Sequence, residues 1–86
     1  MTISVLDDWQ LAITQRLEIA PTFPAMQRYL LFARRCTGIE QSTPAPGAYH
    51  IEMTVEETIW SGDGASADEA MARAILSLPN PGEENA

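Results

Sequence analysis

The hydrophobic period of this chain changes between residues 49 and 78, and this change constrains the fold more than any other feature. Over residues 49–55 apolar and polar side chains alternate, as in a half-buried strand. A turn near Glu56 and Glu57 leads to a second, shorter strand over 58–61. The glycines of residues 62–64 then free the backbone to turn sharply. These residues predict a β-hairpin.

The clearest helix follows the hairpin. Ser66 and Glu69 have the spacing of a capping box, and apolar residues continue at helical spacing to Leu78. Pro79 and Pro81 end the helix. We expect this Ala-rich helix to lie close against the apolar side of the hairpin, whose edges stay open to a third strand or a second chain.

Two further helices are predicted before the hairpin. The first begins at Ser4 and Asp7, which have capping-box spacing, and ends at Pro21. The second begins at residues 22–24 and ends at Gly38. Because a tight turn containing proline joins them, we expect the two helices to pack as an αα-hairpin.

Residues 39–47 contain two prolines and a glycine without periodicity, which predicts a linker. The expected fold is therefore α+β, with two N-terminal helices, a β-hairpin and a C-terminal helix packed on the hairpin (ααββα). The 86 residues have room for one domain. We expect it to span residues 1–78, with a flexible C-terminal tail over residues 79–86.

The acidity of the chain belongs to its second half. The formal net charge is -7, and residues 37–86 hold nine acids against one arginine. This balance opposes direct binding to nucleic acid, which requires clustered cations. The single Cys36 excludes an internal disulfide, and no apolar run approaches a membrane span or signal segment. We therefore expect a cytoplasmic protein with no membrane partner.

Few residues suggest chemistry. His50 and Glu52 lie two apart on one strand face and could share a ligand, but a third donor is missing, and a solvated strand face explains the pair equally. Arg28, Arg34 and Arg35 form the only basic cluster, and the dipole of the second helix explains its last two members. We predict no enzyme activity, no cofactor and no metal.

The hairpin register decides which large apolar residue faces outward. A two-residue turn pairs Met53 with Trp60 and sends Ile59 outward, whereas a three-residue turn does the reverse. The predicted partner-binding surface joins the outward side of the hairpin to the start of the last helix: Glu52, Glu56, Glu57, Trp60, Asp63, Asp68 and Glu69. An ordinary solvated face that keeps the protein soluble is the alternative interpretation.

Residues 49–78 resemble the last hairpin and helix of double-stranded-RNA-binding domains. Where that family places lysines that contact phosphate, this chain has Ala67, Asp68 and Met71, so RNA binding does not carry over. Residues 60–75 are similar to a segment of HicB-type antitoxins, which bind a basic toxin. In size and charge the chain resembles accessory proteins of bacteriophages, among them anti-CRISPR inhibitors.

These observations favour a non-enzymatic binding protein. Its acidic second half would dock on the basic surface of a protein partner, such as one that handles nucleic acid, and block or regulate it. An assembly protein that forms a homodimer through the hairpin edge is the second hypothesis. A small enzyme using His50 and Glu52 is the third.

Overall fold

The computed structural model describes residues 7–79 and confirms the α+β class. The element order is α1 (Asp8–Leu17), α2 (Phe23–Ala33), β1 (Cys36–Ala45), β2 (Ala48–Val55), β3 (Thr58–Gly64) and α3 (Ala67–Leu76). The strands form one antiparallel sheet in the order β1-β2-β3. The core lies between the helices and the sheet face that carries Ile51, Met53 and Val55.

The predicted linker is wrong, because residues 36–45 form a third strand. β1 pairs along β2 and places Ile39 opposite Met53 and Glu40 opposite Glu52. Only Cys36 and Ile39 of this strand are even partly buried, so hydrophobic alternation is absent. The strand depends instead on backbone pairing to β2, and Pro44 is tolerated near its end because β1 is an edge strand.

The hairpin between β2 and β3 has the two-residue turn. Glu56 and Glu57 have φ values of 53° and 69°, and two positive values are typical of the type I′ turn that matches strand twist. Met53 therefore pairs with Trp60, and Ile59 points outward with 67% of its surface exposed. Trp60 faces the opposite way and packs, partly buried, against the core.

The glycines predicted to form a turn belong to strand β3 instead. At Gly62 an added Cβ would overlap the Ala70 carbonyl oxygen and the Ala74 nitrogen, and at Gly64 it would lie 2.7 Å from the Glu69 side chain. Glycine is therefore required here because the backbone of α3 lies directly on the sheet. The predicted close packing of the Ala-rich helix is confirmed, although its physical basis is on the sheet as well as on the helix.

The N-terminal helices differ from the prediction in bounds and packing. Asp7 is the N-cap of α1, with its N–H donating to Gln10 Oε1 at 2.8 Å, while Ser4 lies outside the described residues. α1 ends before Glu18, which has φ 56°, and α2 ends at Ala33 rather than Gly38. Both helices pack mainly against α3 rather than forming an αα-hairpin with each other.

The domain boundary near residue 78 moves by at least one residue. Pro79, predicted to open the tail, is half-buried, and its carbonyl oxygen accepts a hydrogen bond from Arg34 Nη1 at 3.1 Å. The rest of the predicted tail, residues 80–86, lies outside the described residues.

Candidate protein-docking surface

The face of the sheet opposite the helices, which we call the outer sheet face, is a grid of three cross-strand rows. Within residues 7–79 no element packs against it. The register places the rows in order from the β2–β3 turn: Gly38, Thr54 and Ile59; then Glu40, Glu52 and Ser61; then Ser42, His50 and Asp63. Because side chains of a strand alternate between faces, all nine residues lie on the same side.

Negative charge dominates this grid. Glu40 and Glu52 are directly opposite each other on neighbouring strands, an arrangement of like charges that destabilises an isolated sheet. Asp63 Oδ1 lies 2.6 Å from His50 Nδ1, and Glu52 Oε2 lies 3.8 Å from His50 Nε2. The hydrogen bond with Asp63, followed by the charges of Asp63 and Glu52, raises the pKa of His50 above its usual 6.5 despite partial desolvation.

A shallow depression lies at the β1 side of the grid. Its volume is about 110 Å³, and it is lined by Gly38, Glu40, Glu52, Thr54 and Ile59. Gly38 forms its floor because it has no side chain, and a Cβ added there would meet only Thr54 Oγ1, at 3.9 Å. An exposed apolar wall and two carboxylates therefore surround an opening of side-chain size.

The structure separates the predicted surface into three places. Glu52 and Asp63 lie on the outer sheet face, and Glu56 and Glu57 lie exposed at the hairpin turn next to it. Trp60 lies on the other side of the sheet, against the core. A partner on the outer sheet face would therefore contact Ile59 rather than Trp60.

Asp68 and Glu69, at the start of α3, have structural contacts. Asp68 Oδ1 accepts a hydrogen bond of 2.7 Å from the backbone N–H of Phe23, which ties α3 to the first turn of α2. Glu69 accepts from the Ala65 N–H and pairs with Arg73 at 2.9 Å, and these bonds hold the pKa of Glu69 below its usual value. Both carboxylates are thus engaged on the helical side of the molecule.

Glu40 is the residue that the sequence prediction missed. It lies within the segment predicted to be a linker, and nothing in its neighbours marks a strand. The one available signal was the Pro46-Gly47 pair, which forms the two-residue turn between β1 and β2, with φ 76° at Gly47. Reading that turn as a hairpin would have placed Glu40 opposite Glu52.

The catalytic alternative gains no third group. His50 has Asp63 and Glu52 as neighbours, but within residues 7–79 no cluster of three or more histidine, cysteine or acidic side chains is arranged to hold a metal ion. His50 and Asp63 form a hydrogen-bonded pair, and no serine or cysteine lies within hydrogen-bond distance of the ring nitrogens in the described structure.

The arginines of α2 lie on the helical side. Arg34 is 8% exposed and lines a cavity of about 610 Å³ between the ends of the helices, with Arg16 and Pro79 also in its wall. Because Arg34 anchors Pro79, its role in the fold is more than complementing a helix dipole. Phe32, between Arg28 and Arg35 on the same helix, is 82% exposed.

Comparison with protein-family models, curated proteins and solved structures finds no significant match to this chain. In the described part of the chain, no helix has the length and apolar character to cross a membrane.

Proposed function

We propose that this protein is a non-enzymatic binding module whose outer sheet face docks on the basic surface of a protein partner. The observation that carries the proposal is an uncovered sheet face that combines exposed Ile59 with the carboxylates of Glu40, Glu52 and Asp63. Interfaces of this type pair an apolar contact with complementary charge, which guides association and sets orientation.

The partner class follows from the charge. A protein that handles nucleic acid carries the clustered cations that an acidic face complements. Occupying such a surface would block its nucleic acid, so inhibition is the activity we propose, in line with the resemblance to small acidic phage proteins. We place the interaction in the cytoplasm, because the free thiol of Cys36 is buried and unpaired.

The experiment compares two double variants of equal net charge. Glu40→Gln with Glu52→Gln and Glu56→Gln with Glu57→Gln each change the net charge from -7 to -5. A partner captured from the native host with the wild-type protein is identified, purified and titrated with both variants by calorimetry. We expect the first variant to weaken binding about tenfold or more and the second to weaken it much less.

Equal effects of the two variants would show that binding follows total charge rather than this face. An unchanged affinity for the first variant would exclude the outer sheet face. Wild-type affinity should also fall as salt rises, because exposed charges are screened.

Assembly through a sheet edge is the second candidate. β1 and β3 are both edges of a three-stranded sheet in the described structure, and the ten residues of β1 offer a long row of backbone groups. If assembly is the function, sedimentation should show a defined dimer whose stability responds to Gln41→Pro in β1 and not to Glu52→Gln.

A further inference from the structure

We infer that the depression over Gly38 receives an arginine side chain of the partner. This inference rests on the proposed function and specifies the chemistry that the outer sheet face recognises. The shape of the site and the nature of its walls both point to this side chain.

The carboxylates favour a cation with several donors. Glu40 and Glu52 face each other across paired strands, where opposite Cβ atoms lie about 4.5–5.5 Å apart. Two ionised carboxylates at this separation present more acceptor positions than one ammonium group can use. A guanidinium has five N–H donors in a planar fork and forms paired bonds with carboxylates.

The remaining walls suit the aliphatic part of the same side chain. Ile59 is 67% exposed beside the depression, and Thr54 lies between Ile59 and Gly38 in the same cross-strand row. A long cationic side chain covers apolar surface with its methylene groups while its charged end reaches polar partners. An arginine entering over Ile59 would therefore meet apolar contact first and carboxylates at its end.

The isolated protein carries a cost that such a ligand would remove. The repulsion between Glu40 and Glu52 is uncompensated by any ion pair to either residue within 4 Å except the contact of Glu52 with His50 at 3.8 Å, among the described residues. A guanidinium between the two carboxylates changes repulsion into two attractions. Lysine would supply the charge without the paired geometry.

Gly38 allows a sharp test, because filling the depression does not disturb the core. The nearest atom to an added Cβ is Thr54 Oγ1 at 3.9 Å, an ordinary contact, and β1 is an exposed edge strand. Gly38→Ala fills part of the opening and Gly38→Val fills most of it, while both leave every carboxylate in place. Circular dichroism and amide spectra confirm the fold of each variant.

The probe is a blocked pentapeptide with arginine between glycines, titrated at low salt into the full-length protein labelled with ¹⁵N. Matched peptides carry lysine or citrulline, the latter having a similar shape without the charge. We expect shifts at the amides of Gly38, Thr54 and Ile59, weaker binding of lysine, and no binding of citrulline. Gly38→Val should weaken arginine binding about tenfold or more, and Gly38→Ala should have an intermediate effect.

The outcomes separate this inference from the proposed function. If Gly38→Val binds like the wild type while Glu40→Gln with Glu52→Gln loses binding, the face takes cations without using the depression, and the inference is wrong while the proposed function stands. If lysine binds as tightly as arginine, the guanidinium assignment is wrong. If arginine binds equally to wild type and both sets of variants, the inference and the proposed function both fail.

Discussion

Gly62→Ala is the substitution that tests most severely how α3 packs on the sheet. The added Cβ would overlap backbone atoms of Ala70 and Ala74 and come 2.9 Å from the Ala74 Cα. Carbon atoms pack best about 3.5–4.0 Å apart, so the helix would have to move away by roughly 0.6–1.1 Å. No rotamer change can relieve the overlap, because the atoms concerned belong to the backbone.

The cost of that movement can be placed within a range. Shifts of this size forfeit about a quarter to a half of the affected dispersion energy, and overpacked cores typically lose about 1–3 kcal/mol. α3 contributes five buried residues to the core: Ala70, Met71, Ala72, Ala74 and Ile75. Alanine regains roughly 0.5–1 kcal/mol through the unfolded chain, so we expect a net loss of about 2 kcal/mol.

The assay is thermal and urea unfolding followed by circular dichroism. For a domain of this size about 2 kcal/mol lowers Tm by roughly 8–16 °C. The matched control is Gly38→Ala, also a strand glycine, which should leave Tm unchanged or raise it, since a strand-interior glycine costs about 0.5–1 kcal/mol relative to alanine. A Gly62→Ala protein as stable as the wild type would refute the close contact between α3 and β3.

Three further predictions address the cap, a titrating group and the charge. Ser66 Oγ accepts the Glu69 N–H at 3.1 Å, so Ser66→Ala should cost about 1 kcal/mol and lower Tm by roughly 4–8 °C in the same unfolding assay. The raised pKa of His50 means that its stabilising contribution is full below pH 6.5 and is lost as pH rises through the folded-state pKa. NMR titration should find that pKa above 6.5, and Asp63→Asn should lower it; a His50 pKa unaffected by Asp63→Asn would contradict the assigned pair. The protein should not bind duplex RNA or DNA at physiological salt, and salt-sensitive micromolar binding in an anisotropy assay would overturn this.

The part of the fold that the sequence predicted is the part where side chains alone determine the structure. Alternation over 49–55 fixed which face of β2 is buried, and Ser66 with the apolar spacing after it predicted α3; the structure confirms both. β1 could not be predicted in this way because its burial pattern is almost wholly exposed. Its strand conformation comes from a pairing partner, which local composition does not record.

The candidate site was partly predictable for the same reason. Glu52 and Asp63 were identified because both lie on strands or turns with clear patterns, whereas Glu40 was missed with β1. Asp68 was misassigned because an acid at a helix start suits the helix dipole whatever else it does. Its actual partner, the Phe23 N–H, lies 45 residues away in sequence.

Amide chemical-shift mapping of the ¹⁵N-labelled protein, titrated with its captured and purified partner, tests most directly whether the outer sheet face is the docking surface. The account predicts that shifts and line broadening concentrate on the three strands, at Gly38, Glu52, Thr54, Ile59 and Asp63, and largely spare α1 and α2. Perturbations centred instead on the exposed face of α2, around Arg28 and Phe32, with the sheet unaffected, would contradict it.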